Sequence, residues 1–473
     1  MTVSAETLDN EARTKRYVFF VSVLTSFITP FMGSSVNVAI PQIGESLRLD
    51  AIALNWVVTG FLLAAAACLL PLGRVADLYG RKRVFLVGLA VHTLPSGLCA
   101  AAQSGTWLIL GRVLQGVGGA MVFGTGMAIV TSVFSVGERG KIIGFNVGVV
   151  YLGLSMGPVL GGLVTHHLGW RALFLLHLAL GACAFSVAFL GLKGEWKNDD
   201  EASFDLLSSI LYAAALTALM YGIAMLTTAK HAPAILLAGL VLLTGFIHRQ
   251  LVHKNPLFDI RLFRNPAFAF SNVAALIHYS ATFAIGFLMS LFLQTVKGLS
   301  AQSAGFVLLS QPLVMALVSP LAGRWSDWLQ PRLIASLGMA LTCGGIAVFS
   351  FLDSSFPVSL VALNLVLVGF GFGLFSSPNT NAVMSAVEPS HYGVASATLS
   401  TMRVVGQAMS MAMVNLGFAF YLKGHPVTPD VAVPLVQSLR TTFSIFAILC
   451  LVGIWASLAR GRVGPSHPSE PRT

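Results

Sequence analysis

Charge is scarce in this chain, and negative charge scarcest. Of 473 residues only 10% are Asp, Glu, Lys or Arg, with 18 acids against 28 bases. Every one of the acids falls in a connecting stretch, a tail or the end of an apolar run, never mid-run. A water-soluble protein of this length needs far more charged surface, so that class is excluded. Cysteine is nearly as rare. Cys68, Cys99, Cys183, Cys343 and Cys450 stand in separate apolar runs without metal-ligand spacing, which reads as small packing residues. No metal and no cofactor is expected, and nothing points to an enzyme. Connections long enough to hold a folded soluble domain are also missing, so the work of this protein is expected within a bilayer.

What is abundant is apolar length. The chain is 56% hydrophobic, with a mean hydropathy of +0.81. A spanning helix needs roughly 20 apolar residues. Fourteen runs qualify, at about 17–40, 51–72, 84–103, 106–133, 142–165, 171–192, 205–227, 233–250, 267–294, 301–322, 333–352, 357–382, 393–420 and 437–459. The net charge of +10 follows the same map: twenty of the Lys and Arg fall in segments on one side, six on the other and two within spans. Basic loops stay in the cytoplasm, so both termini are expected inside and no nucleic acid is needed to explain the charge. The basic start (Arg13, Lys15, Arg16) leads into a full-length run without a small-residue cleavage site, so it reads as a retained first helix.

A short basic turn, Gly73-Arg74-Val75-Ala76-Asp77-Leu78-Tyr79-Gly80-Arg81-Lys82-Arg83, follows the second run. A thinner copy, Gly323-Arg324-Trp325-Ser326-Asp327-Trp328-Leu329-Gln330-Pro331-Arg332, follows the tenth. Spans 1–6 and 9–14 then correspond, and spans 7 and 8 are an inserted pair. The fold expected is an all-α polytopic membrane protein of two six-helix bundles plus two linker helices. Its boundaries are a cytoplasmic tail 1–16, a bundle 17–192, a linker 193–266, a bundle 267–459 and a tail 460–473. The acidic stretch 193–204 (Asp199, Asp200, Glu201) and the mixed stretch 248–266 belong to the linker; the latter suits a segment lying on the membrane surface. Repeated halves of this kind put the substrate site of a secondary transporter between them, near the midplane.

Three further stretches carry chemistry. In the fourth span Arg112, Gln115, Gly116 and Gly119 share one helix face. An intramembrane Arg costs ~2.5–3.5 kcal/mol on insertion scales and usually faces a polar cavity or partner; Arg112 either serves a proton or substrate site or pairs with backbone carbonyls. In the fifth span Gly153, Gly157 and Gly161 recur every fourth residue beside Pro158, leaving a smooth groove for another helix and a kink. In the thirteenth span Arg403 shares a face with Ser396, Ser400, Gln407 and Ser410. The glycine runs at 116–119 and 369–373 lie inside apolar spans with no strand before them, so a nucleotide loop is discarded.

With these residues the chain resembles the major facilitator superfamily. Gly73, Asp77, Gly80, Arg81 and Lys82 fit that family's first cytoplasmic loop, with Leu78 at a commonly basic position. The resemblance implies that this loop latches the halves together, Asp77 near a facing helix N-terminus, with Asp327 in a weaker second latch. Leu108–Ala120 resembles the family's intramembrane Arg signature. Gly153, Gly157, Pro158 and Gly161 match the motif typical of its exporters. Ser35-Val36-Asn37-Val38-Ala39-Ile40-Pro41 and Gln294–Ser300 narrow the resemblance to the fourteen-span drug:proton antiporters. That branch usually carries an Asp five residues before Asn37; here the position is Met32.

The expected activity is therefore export of small hydrophobic compounds, neutral or anionic, coupled to protons, in a cell (inner) membrane. The expected cavity is lined by Asn37, Arg112, Gln115, His278, Asn364, Arg403 and Gln407. Without an intramembrane acid, His278 is the best remaining proton carrier, since imidazole titrates near neutrality; the alternative is a neutral packing residue. Two other readings stay open: a transporter of an organic anion or metabolite with Arg112 and Arg403 as ligands, and a membrane scaffold or sensor that transports nothing.

Overall fold

The computed structural model describes residues 5–134, 136–196, 204–227, 229–253, 256–388 and 392–461. The acids Asp199, Asp200 and Glu201 and the tail from 462 onward lie outside them. Among the described residues fourteen helices are long and apolar enough to cross a membrane. In chain order they are Arg13–Leu47, Ala51–Tyr79, Arg81–Ala100, Gly105–Val133, Phe145–Leu168, Trp170–Gly191, Leu206–Ala224, Ala232–Val252, Pro266–Val296, Ala301–Ser326, Pro331–Phe349, Val358–Ser385, Tyr392–Tyr421 and Pro429–Ala459. They are called here the first to the fourteenth span. No strand occurs among the described residues; one isolated antiparallel bridge joins Asp50 to Pro426.

Short polar residues at the turns decide where the apolar runs become separate helices. Asp50, Ser104, Asp205, Asn265 and Ser300 each sit just before a helix and accept a hydrogen bond from a backbone N–H of its first turn. That supplies one of the four donors a helix start leaves unmet. The first helix runs unbroken from Ala5 to Leu47, and its candidate membrane span begins at Arg13.

The packing repeats. The first span packs on the fifth and sixth, the second on the fourth, and the third on the fourth and sixth. Eight spans on, the ninth packs on the thirteenth and fourteenth, the tenth on the twelfth, and the eleventh on the twelfth and fourteenth. The seventh and eighth spans pair with each other. The seventh also packs on both the second and the thirteenth, so it lies along the seam between the two groups. Tyr212 fixes it there, donating to the Ala66 carbonyl at 3.0 Å.

The stretch after the eighth span differs from the surface segment expected. Phe258 packs beside Tyr212 and Phe246, while Leu262 and Phe263 pack on the Phe268–Leu399 cluster. Its apolar side chains meet protein. The ninth span also departs from a single continuous helix. It breaks after Thr282, resumes at Ile285 and ends in a π-helical turn, Phe292–Val296. Periodicity carries no trace of a break whose freed donor is met from elsewhere: the Ala284 N–H donates to Ser410 Oγ of the thirteenth span at 3.1 Å.

Candidate functional site

The two groups of spans meet along a seam that is joined at one end. Farthest from the basic turn, the Ala51 N–H donates to the His425 carbonyl beside the Asp50–Pro426 bridge. One level deeper, Gln294, carried on the π-helical turn, donates to the Val38 carbonyl of the first span at 2.9 Å. There the fifth span crosses the tenth at its closest. A side-chain carbon at Gly162 would stand 2.6 Å from the Ala301 carbonyl oxygen, and one at Gly305 would strike the carbonyl of Pro158. Midway along, Tyr151 Oη and Ser319 Oγ share a hydrogen bond of 3.1 Å across the seam.

The glycines of the fifth span serve two partners. Gly153, Gly157 and Gly161 turn to the first span, where Ser35 Oγ donates to the Gly157 carbonyl at 3.1 Å. Pro158 and Gly162 turn to the tenth span. Sequence reasoning found the groove but not the second partner. Ala304-Gly305 stands out in the sequence only through the resemblance of the stretch after the ninth span to the fourteen-span branch, which does not announce Pro158 as its partner.

The expected cavity residues divide among separate places. In the first group of spans, Arg112 is buried and engaged with its own neighbours. Its Nε donates to the Val57 carbonyl at 3.0 Å and its Nη1 to Gln115 Oε1 at 2.8 Å, and the guanidinium lies 4.7 Å from the centre of the Phe61 ring. Gln115 Nε2 in turn donates to Ser96 Oγ at 2.8 Å. His92 Nδ1 is 2.9 Å from the Gln115 carbonyl, which can only accept, so that nitrogen carries the proton.

In the second group His278 is fully buried and stacked on Phe375, ring centres 4.0 Å apart, with Phe372 at 4.9 Å. Neither of its nitrogens has a partner. Asn364 points to the eleventh span, donating to the Gly345 carbonyl at 2.8 Å. Asn37 lies half-buried by Gly286 with its Oδ1 unpaired, Gln407 is half-buried, and Met32 sits in the apolar core.

Arg403 is different. It is half-buried on the seam side of the thirteenth span, 11 residues from the first residue of that helix. At 1.5 Å per residue this is ~16 Å along the helix from its start. Its Nη2 donates to Thr380 Oγ1 at 2.8 Å, its guanidinium lies 5.7 Å from the Tyr279 ring centre, and its Nε is buried without a partner. Tyr279 meets Phe372 edge-on at 5.5 Å and packs with Tyr151. Arg112 and Arg403 are thus unlike sites, one satisfied and one not.

The basic turn is held by its own group. Asp77 Oδ1 accepts from Arg81 Nη2 at 2.8 Å and Nε at 3.0 Å, and Arg81 Nη1 reaches Ser132 Oγ at 2.8 Å. Gly80 turns the chain with φ +115°. The third span, starting there without a side-chain cap of its own, is capped by Glu195: Oε1 accepts the Lys82 N–H at 2.7 Å, and the Arg81 N–H donates to the Trp196 carbonyl. Glu195 was not singled out in the sequence, where it is one acid of the linker. In the thinner copy Gly323 lies near Ser377, and Arg332 Nε donates to Gln330 Oε1. The side chain of Asp327 is outside what the structure describes.

Against known proteins, a family model described as Major Facilitator Superfamily matches residues 22–411. The chain is 28% identical over 443 residues to the riboflavin transporter RibZ of Clostridioides difficile (strain 630), covering 93% of this chain and 96% of that one. It is 30% identical over 392 residues to the multidrug resistance protein Stp of Mycobacterium tuberculosis (strain CDC 1551 / Oshkosh), covering 82% and 73%. It is 32% identical over 399 residues to the cephamycin export protein CmcT of Amycolatopsis lactamdurans, covering 82% of each. Among solved structures, a bacterial homologue of the human lysosomal transporter Spinster matches with a TM-score of 0.68 at 16% identity, over 94% of this chain and 97% of that one. That likeness concerns the fold.

Proposed function

The chain belongs to the Major Facilitator Superfamily, and from that premise we propose that it exports small hydrophobic compounds across a cell (inner) membrane, driven by protons. The basic turn and both termini face the cytoplasm on this reading, because Lys- and Arg-rich loops are retained there. The observation that carries it is the seam. The halves are closed by backbone-to-backbone approach at Gly162 and Gly305, away from the basic turn. A substrate entering from the cytoplasm would meet the midplane residues around Arg403 and leave after the closed end parts. Relatives named for multidrug resistance and for cephamycin export support the direction.

Asp77, paired to Arg81 in this conformation, is proposed to latch the cytoplasmic ends when they close, where a helix N-terminus of the other half would offer a positive dipole end. For coupling, no carboxylate lies mid-membrane, which leaves His278 as the imidazole to test. A gradient can drive transport only through different proton affinities in the two conformations. Purified protein in liposomes should therefore move substrate faster with an imposed pH gradient than without. Equal rates would reject proton coupling, and unchanged coupling in His278→Gln would remove that residue. Asn37 on the first span and Gln407 on the thirteenth, both half-buried, are proposed as further wall positions. Arg112, Gln115 and Asn364 are proposed as supports of the cavity.

A second reading, a transporter of organic anions, is favoured by one observation: Arg403 holds unmet donor capacity beside the seam, and among the described residues no ion pair reaches it.

A further inference from the structure

We propose that Arg403 receives the anionic group of the transported compound and that Tyr279, Phe372 and Tyr151 seat its aromatic body, so that the substrate class is an aromatic carboxylate. This rests on the reading of the seam as the substrate path.

Three arginines are buried or half-buried against the helices, and their surroundings differ. Arg112 gives its Nε and Nη1 to Val57 and Gln115. Arg460, 2% exposed, donates to the Ser457 carbonyl and hydroxyl, to Asn379 Oδ1 and to Ser271 Oγ. Among the described residues Arg403 has one hydrogen bond, to Thr380. The Thr380 hydroxyl donates its own proton to the Ser376 carbonyl at 2.9 Å, so toward Arg403 it can only accept. That fixes the guanidinium without neutralising it. A guanidinium carries five donors in a planar fork, and a buried one left unmet costs free energy that a bound acceptor returns. No ion pair reaches Arg403 among the described residues. The chemistry that fits a planar fork is a planar oxyanion, and a carboxylate can take it bidentately.

The surroundings select the rest of the molecule. Tyr279 lies under the guanidinium and continues through Phe372 to Tyr151 on the opposite half. A ring on that surface would touch both halves at once, beside the Tyr151–Ser319 hydrogen bond that spans them. An anion on Arg403 with an apolar body against Tyr151 therefore bridges the parts that must move apart.

The test uses the full chain in lipid nanodiscs and two probes of one shape, 2-naphthoate and the uncharged 2-naphthamide, followed by thermal shift and calorimetry. The wild type should bind 2-naphthoate at least ~10-fold more tightly than 2-naphthamide. Arg403→Gln should erase the difference, and Arg403→Lys should keep part of it, since it retains charge but not the fork. A wild type that binds neither probe, or prefers neither, overturns the proposal, as does an Arg403→Gln variant with the wild-type preference. Flux of both probes in proteoliposomes separates the two readings. Charge preference through Arg403 without flux leaves this site standing and sinks transport. Flux with a preference that ignores Arg403 does the reverse.

Discussion

Arg112 donates to the backbone carbonyl of Val57 at 3.0 Å, tying the fourth span to the second inside one half of the molecule. Its second acceptor, Gln115 Oε1, lies one turn along its own helix. A buried guanidinium is tolerated only while its acceptors stay in place. Gln115→Leu should therefore destabilise the protein by about 2–3 kcal/mol, read as a lowered thermal midpoint in detergent. Adding Arg112→Leu should recover part of that loss by removing the stranded charge. An Arg112→Leu variant that melts normally but no longer binds substrate would show instead that Arg112 is a ligand.

Gly305 admits no side chain against the Pro158 carbonyl. Gly305→Val should force apart the end of the seam far from the basic turn, at the cost of overpacking, about 1–3 kcal/mol. A cysteine placed at Asn37 should then react several-fold faster with an impermeant maleimide from the outer side, while flux collapses. Unchanged labelling with normal flux would mean that the fifth and tenth spans need not close on each other.

Glu195 and Asp77 hold the same turn for different ends. Glu195→Ala removes the cap of the third span and should cost about 1 kcal/mol of stability, with transport falling only in proportion. Asp77→Asn should spare stability and slow flux, because it removes a charge the closed cytoplasmic state is proposed to use. The pair separates support from gating. Equal effects on melting and flux in both variants would end that distinction.

Asp205 gives a pH signature. Burial pushes its carboxyl upward, but hydrogen bonds from Arg249 and Ser208 outweigh it and bring the group from 3.8 to about 2. A carboxylate whose folded value is depressed stabilises above its unfolded pKa and loses that contribution as pH falls through the folded one. The thermal midpoint should therefore drop between about pH 4 and pH 2, as the bond between the seventh and eighth spans weakens. Asp205→Asn should lower the midpoint at neutral pH and flatten that dependence. A wild-type midpoint that holds through this window would contradict the assignment.

The spanning runs, the repeat and the glycine groove could be read from the sequence because each rests on local periodicity or on a motif. Apolar length alone marks Trp170–Gly191, and spacing alone marks Gly153, Gly157 and Gly161. What could not be read depends on which residue meets which across the bundle. Nothing near Arg112 in the chain announces Val57, and nothing near Arg403 announces Tyr279. The same limit hid Glu195, whose partner N–H lies 113 residues away, and the break in the ninth span, whose donor is met by Ser410 of the thirteenth. Local sequence shows that a polar group is buried; only the fold shows whether it is already paired.

The seventh span has a mechanical consequence. It packs on both the second and thirteenth spans, yet its hydrogen bond, from Tyr212 to Ala66, goes to the second alone. Asp205 and Arg249 bind the eighth span to it, and Glu195, at the start of the linker, is fastened to the third. If the halves rock, the inserted pair travels with the first of them as cargo, and the thirteenth span slides along its greasy flank. The machine is then lopsided, eight helices turning against six, with the seventh as the rail between them.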